Sequence, residues 1–153
     1  MPKIEYDKSQ RVLTCTITER MNERAVMKYY RDFLRFVDEE CGKQSAVITI
    51  CDSRVLFSFL FAASQIFLKG VIYRLSPEYI KILDELVAVK QERIEPGCSI
   101  MVIDEKSWQL FNRMMELTFR YATSLRMPIM TTRAAALEYI LAQRKKNKDE
   151  KSS

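Results

Sequence analysis

The chain has no histidine among its 153 residues, and this absence removes the commonest catalytic side chain at neutral pH. Without imidazole there is no Ser-His or Cys-His nucleophile pair, no histidine metal ligand and no imidazole proton shuttle. Carboxylate pairs such as Asp84 and Glu85 are neighbours on a predicted helix, where adjacent side chains diverge, so they indicate solvated surface. We therefore expect no catalytic residues, no metal site and no enzyme activity.

Glycine is scarce as well, with three residues at Gly42, Gly70 and Gly97. None of them belongs to a G-x-G-x-x-G turn or a Walker loop, which are the glycine-rich turns that hold phosphates in common nucleotide enzymes. We expect no nucleotide and no other cofactor.

The four cysteines lie far apart in the sequence and form no C-x-x-C pair. The first residues lack the basic start, apolar core and small-residue cleavage site of a signal peptide. We therefore expect reduced thiols and a cytoplasmic protein. Cys51 lies near Arg54, and a nearby cation lowers a thiol pKa, but a buried and inert cysteine is the favoured interpretation.

The net charge is +5, and its position in the chain limits what it implies. Arg144 and four lysines against two carboxylates place most of the excess in the last ten residues. We predict a single domain over residues 1–143 and a flexible basic tail over residues 144–153. Nucleic acid is an unlikely partner, because the body of the chain is nearly balanced in charge.

Apolar patterning predicts one mixed sheet with helices packed on it. Residues 12–18 alternate in the strand pattern, and residues 46–51 form the nearly continuous apolar run of a strand buried on both faces. The full set of predicted elements is strands at 4–6, 12–18, 46–51, 99–103 and 129–130, and helices after Asn22, after Ser76, over 106–125 and over 133–143. This order predicts an α/β fold with about four to five strands.

Local signals predict where the helices begin and end. Asn22 and Ser76 are expected to cap the first turns of two helices. Gly42 is expected to end the first of these helices in a left-handed conformation, and Pro96 with Gly97 to mark the exit from the second.

Residues 55–68 contain no charge and include Phe57, Phe59, Phe61 and Phe67. We expect an extended start that turns into a buried helix. The segment is shorter than the roughly 20 residues that a membrane-crossing helix needs, so no membrane span is expected. Its function is core packing or, alternatively, a subunit interface or the wall of a ligand pocket.

Six stretches distributed along the chain share a pattern with a known family. They are Tyr6-Asp7, Arg11-Val12-Leu13, Ile50-Cys51-Asp52-Ser53-Arg54, Met101-Val102-Ile103-Asp104, Phe111-Asn112-Arg113-Met114 and Ala135-Ala136-Leu137-Glu138-Tyr139-Ile140. Together they resemble the STAS domain superfamily, in particular its small bacterial SpoIIAA-like group, whose fold is similar to SEC14-type lipid-binding domains. The resemblance covers nearly the whole chain, from about Lys3 to Leu141.

The resemblance implies a regulatory protein-interaction or ligand-sensing module and not an enzyme. In anti-sigma-factor antagonists of this superfamily, the matching strand leads into an Asp-Ser loop with a following glycine, and the serine is phosphorylated. Here Asp52-Ser53 is followed by Arg54 and Val55, so Ser53 is a weak phosphosite candidate and an ordinary strand-end serine is favoured.

The leading hypothesis is a non-enzymatic module that binds a protein partner or its own copy as a homodimer. Its candidate contact residues are Asp52, Ser53, Arg54, Phe57, Phe59, Phe61 and Phe67. A first alternative is a carrier or sensor of a small apolar, lipid-like ligand held between this segment and the helix after Ser76. A second is weak nucleic-acid binding through the basic tail.

Overall fold

A computed structural model describes residues 2–106, 109 and 128–152, and these residues form an α/β fold. The strands are β1 (Lys3–Asp7), β2 (Val12–Thr16), β3 (Ser45–Ile50), β4 (Ile94–Val102) and β5 (Ile129–Met130). The helices are α1 (Glu23–Glu40), α2 (Ser53–Phe67) with a π-helical turn at Leu68–Ile72, α3 (Pro77–Arg93) and α4 (Arg133–Ser152).

The five strands form one sheet in the order β1-β2-β3-β4-β5. β1 pairs with β2 as an antiparallel hairpin, while every other neighbouring pair is parallel. This arrangement confirms the predicted α/β fold class and the mixed sheet. The helix predicted over residues 106–125 falls almost entirely outside the described residues.

Helices cover both faces of the sheet. Side chains that point to alternate sides of the strands enter two separate cores, as strand geometry requires. The core beneath α1, α2 and α3 includes Leu13, Cys15, Val47, Val26, Leu56, Ile66, Ile82 and Met101. The core beneath α4 includes Val12, Ala46, Ile48, Cys98, Ile100, Ala136 and Ile140. β3 and β4 contribute to both cores, which is why their sequences are almost continuously apolar.

Helix α1 begins as predicted and ends differently. The Asn22 side chain accepts a hydrogen bond from the Ala25 N–H at 2.9 Å, which confirms the cap. The expected left-handed end at Gly42 is wrong, because the helix stops at Glu40 and Cys41 is extended. The Arg93 guanidinium donates to the carbonyls of Val37 and Cys41. A side chain from α3 therefore satisfies backbone acceptors at the end of α1, where many helices use a glycine cap instead.

Ser76 caps α3 as predicted, with its hydroxyl accepting from the Tyr79 N–H at 3.3 Å. The predicted role of Pro96 and Gly97 is wrong, because they lie inside β4. Gly97 has a positive φ of 75°, and the β3–β4 register is irregular just beside it. The pair therefore marks a bulge in a strand, where glycine supplies the left-handed conformation.

Residues 55–68 do not begin as an extended segment, and that expectation is wrong. The Asp52 carboxylate accepts a hydrogen bond from the Val55 N–H at 2.8 Å and starts α2 immediately after β3. Val55, Ala62 and Ile66 are buried at helical spacing. The alternation of phenylalanine and serine looked like a strand, but the cap and the buried stripe at helical spacing specify a helix.

The tail that was predicted from residue 144 is helical as far as Ser152, because α4 continues to that residue. Arg144 is fixed against the sheet: its Nε lies 2.5 Å from the Glu95 carboxylate, and its terminal nitrogens donate to the carbonyls of Gln10 and Arg11 at 2.6 and 2.8 Å. The Asn147 amide donates to the Pro96 carbonyl at 3.0 Å. Composition alone suggested a solubilising end, whereas these contacts extend the folded body by at least one turn.

Replacement of Arg144 by alanine should destabilise the fold by about 3 kcal/mol, because it leaves the Glu95 carboxylate buried with a weak remaining partner. The Glu95 side chain is only 7% exposed, and Arg11 lies 3.4 Å from its other oxygen. Urea unfolding followed by circular dichroism measures the change. Lys145→Ala, at the exposed neighbouring position, should cost under about 0.5 kcal/mol. Equal losses of unfolding free energy in the two variants would contradict the role of Arg144 in pairing with Glu95.

Candidate functional site

Helix α2 lies on the same side of the sheet as α1 and α3. It packs mainly on α1 and α3 and on its own π-helical turn. Only Val55, Leu56, Ala62 and Ile66 of α2 are buried. Most of the opposite side of the helix is exposed.

That outer side carries most of the exposed apolar surface. Of the ten large hydrophobic side chains that are exposed in the described residues, eight lie between positions 57 and 75. We call this set the α2 apolar face; it consists of Phe57, Leu60, Phe61, Phe67, Val71, Ile72, Tyr73 and Leu75. Phe61 is 68% exposed and Leu75 is 74% exposed. From Phe57 to Ile72 the members recur at helical spacings, so they form one stripe.

Hydroxyl groups beside this face are already hydrogen-bonded within the helix. Ser64 lies between Phe61 and Phe67, and its Oγ donates to the Phe61 carbonyl at 2.7 Å. Ser58 Oγ donates to the Val55 carbonyl at 2.7 Å and accepts from the Met21 N–H at 3.0 Å. Because these hydroxyls have partners, covering the face would bury few unsatisfied polar groups.

Ionic contacts fix the far end of α2. Lys69 Nζ lies 2.8 and 3.0 Å from the two carboxylate oxygens of Glu23 on α1. The Tyr79 hydroxyl of α3 donates to the same carboxylate at 2.9 Å. Gly70 allows this close approach, because a Cβ there would lie 3.1 Å from the Tyr79 Cβ. The turn that ends α2 is thereby joined to both neighbouring helices.

The structure brings only some of the predicted contact residues to the apolar face. Phe57, Phe61 and Phe67 belong to it. Phe59 points inward, where its ring contacts the rings of Tyr29 and Tyr30 with centroids 5.9 and 6.2 Å away. Phe59 therefore anchors α2 to α1 and is left out of the face.

The polar trio predicted beside the phenylalanines lies at the amino end of α2. Asp52 is the helix cap, so its carboxylate has a structural role. Ser53 is the first residue of the helix and is half-buried, while Arg54 is exposed. The phosphorylation of Ser53 stays a prediction.

Sequence reasoning missed Leu60 and the four members of the face between positions 71 and 75. The uncharged run was taken to end at Leu68, before Lys69. The helical spacing continues from Phe57 and Phe61 through Phe67 to Val71. This pattern is the signal that could have found them.

The four cysteines are free and buried, and none is activated. Burial, with the carboxylates of Asp52 and Asp104 nearby, raises the pKa of the Cys51 thiol to about 12. Burial likewise raises the pKa of Cys15 and of Cys98 to about 11, and that of Cys41 above its ordinary value. Arg54 does not produce a thiolate at Cys51, which agrees with the favoured interpretation of an inert thiol.

The cavities described in the structure give little support to an apolar ligand site. None of them is lined by both α2 and α3, where the sequence placed such a ligand. The largest, about 630 Å³, has mainly charged walls and lies at the other end of the molecule, beside α4. No group of histidine, cysteine or carboxylate side chains in the described ranges is arranged to hold a metal ion.

One helical stretch, Ser53–Ile72, has the length and composition of a membrane-crossing helix. The uncharged run of residues 55–68 is shorter than a span requires, but the π-helical turn extends the helix to 20 residues. Helices that pack in the core of a protein can satisfy the same criteria. The buried inner side of α2 and its contacts with α1 and α3 account for part of this apolar character.

Comparison of the chain with protein-family models, with curated proteins and with solved structures gives no match. The STAS resemblance therefore stays a prediction.

Glu23→Gln should lower the free energy of unfolding by about 1 kcal/mol at neutral pH, because it removes the charge that Lys69 contacts. The Lys69 contact holds the pKa of Glu23 below its ordinary value of 4.5. A carboxyl with a lowered pKa stabilises the fold above its unfolded pKa, and this contribution is lost as the pH falls through the folded pKa. The difference between wild type and variant should therefore shrink below pH 4.5 in urea titrations. Glu39→Gln on the exposed side of α1 is the control. If the stability difference between wild type and Glu23→Gln did not shrink at low pH, the pairing of Glu23 with Lys69 would be contradicted.

The native chain should react slowly with Ellman's reagent at pH 8, because the thiolate is the reactive form and all four thiols are buried. With a pKa of about 12, about one Cys51 thiol in ten thousand is ionised at that pH. The same chain in guanidinium chloride should release four equivalents of chromophore rapidly. A native thiol that reacts within seconds would show that an activated cysteine is present.

Proposed function

We propose that this protein is a non-enzymatic interaction module whose α2 apolar face binds a protein surface, and that the bound surface is the same face of a second copy. The observation that carries the proposal is the concentration of eight of the ten exposed large hydrophobics between positions 57 and 75. Exposed apolar surface concentrated in one segment in this way is typical of interaction sites.

The size of the face suits a stable interface. With about 200 Å² for a fully exposed large apolar side chain, the exposed fractions of its eight residues correspond to roughly 850 Å². A standard protein interface buries about 800 Å² on each partner. The largest apolar patch on a typical monomer is smaller, about 300–600 Å².

The chemistry of the face favours a second copy as its partner. No member of the face carries a charge, and the exposed Arg74 lies towards one end of the segment, between Tyr73 and Leu75. Most of the face could therefore pair with a second copy without burying an unpaired ion. Ser64 is small and lies near the middle of the stripe, where two helices crossing at a two-fold axis come closest. Its hydroxyl is already bonded to Phe61 and needs no partner across the axis.

Other features agree with an interaction role. The chain has no histidine, and its cysteine thiols have raised pKa values. The resemblance to STAS domains suggests partner recognition and a regulatory role in the bacterial cytoplasm, and we include both in the proposal.

Phe61→Glu tests the interface directly. The wild-type chain should have twice the mass of one chain by light scattering at micromolar concentration, and the variant should have the mass of one chain. The introduced carboxylate would be buried without a partner, so dimer affinity should fall by at least about a hundredfold. Circular dichroism establishes that the variant remains folded.

Leu141→Glu is the matched control. Leu141 on α4 is 61% exposed, close to the exposure of Phe61, and lies on the other side of the sheet. The control should dimerise as the wild type does. A wild-type chain that stays monomeric at 100 µM, or equal loss of dimer in both variants, would overturn the proposal.

A further inference from the structure

A second surface, independent of the α2 apolar face, lies at the amino ends of β2, β3 and β4. A cavity of about 630 Å³ opens between these strand ends and the last turns of α4. Its volume is within the range of small-molecule sites, about 300–1,000 Å³. We call it the α4 cleft; its walls are Arg11, Gln44, Glu95, Pro96, Arg144, Lys145, Asn147, Lys148, Glu150 and Lys151.

The cleft walls carry an excess of positive charge. Five of the lining residues are cationic and two are acidic. The Glu95 carboxylate contacts Arg144 at 2.5 Å and Arg11 at 3.4 Å, so these guanidinium groups offset its charge. Within the described residues, Lys145, Lys148 and Lys151 make no ion pair. Their ammonium groups remain available to an incoming anion.

The cleft is rigid where α4 meets the sheet. Arg144 bridges Glu95 to the carbonyls of Gln10 and Arg11, and Asn147 donates to Pro96. Arg11 has a positive φ of 54°, which a residue other than glycine seldom adopts. Its carbonyl accepts from both the Ala46 N–H and Arg144, so the strained turn is held in place. A preformed wall reduces the ordering cost of binding.

A neighbouring depression continues the basic surface. It has a volume of about 450 Å³ and shares Arg11 and Gln44 with the α4 cleft. Lys43 and Arg93 line it together with Glu92. None of the residues around either cavity is aromatic, so neither offers a platform on which a nucleobase could stack.

We propose that the α4 cleft binds a small compound with several phosphate groups. Lysine ammonium groups bind phosphate oxygens as point charges, and the guanidinium of Arg11 offers several donors to an oxyanion. The missing aromatic platform favours a ligand recognised through its phosphates. Lys145, Lys148 and Lys151 on α4 line the same cleft as Arg11 and Gln44, so one ligand could contact both elements.

Isothermal titration with inorganic tripolyphosphate tests the cleft. The wild-type chain should bind it with one site, and affinity should fall as salt rises. Lys148→Ala/Lys151→Ala should weaken binding about tenfold by removing two charge contacts. Lys81→Ala/Lys90→Ala removes the same charge from exposed positions on α3 and should bind as the wild type does.

Three results would overturn the inference. The first is absence of tripolyphosphate binding at low salt, and the second is equal weakening in the two double variants, which would indicate a response to net charge alone. The third is binding of a single-stranded oligonucleotide without binding of tripolyphosphate, which would assign the surface to nucleic acid. The Phe61→Glu variant should bind tripolyphosphate as the wild type does, so this test is independent of the dimer.

Discussion

The central constraint on this structure is that its parallel strands are apolar on both faces, so both faces must be covered. β3 and β4 place buried side chains alternately into two cores. A parallel sheet of this kind is stable only between two layers of helices. The described part of the chain meets the requirement with α1 to α3 on one side and α4 on the other, and both proposed surfaces follow from how these layers are filled.

On the first side, α1 and α3 pack against each other and against the strands, which leaves α2 to pack on the two helices. A helix in that position buries one narrow stripe, here Val55, Leu56, Ala62 and Ile66. An ordinary surface helix would be polar over the rest of its circumference. The outer side of α2 is instead strongly apolar, and this exposed apolar surface is the physical reason to infer a second copy.

The sequence predicted the elements that local chemistry specifies and failed where distant residues decide. The caps at Asn22 and Ser76 depend on bonds within one turn, and both are confirmed. The end of α1 involves Arg93, more than fifty residues away, which donates to the carbonyls of Val37 and Cys41, and Gly42 does not adopt the left-handed conformation that was expected. Pro96 and Gly97 are typical turn residues, but the pairing of β4 with the neighbouring strand β3 places them at a bulge. The apolar character of residues 55–68 was visible, but which phenylalanines face outward depends on Tyr29 and Tyr30.

On the second side, the buried residues of the 20-residue helix α4 are Ala136 and Ile140 in its first half, so its last turns extend beyond the apolar core. Those turns would fray if side chains did not hold them, and Arg144 and Asn147 attach them to the strand ends. Arg144 directs its donors to Glu95 and two carbonyls, and in this way it neutralises the one deeply buried carboxylate of the cleft. The lysines that follow need not pair with Glu95. A contact that stabilises the end of α4 therefore also leaves the cleft positively charged, which is the electrostatic condition that phosphate binding requires.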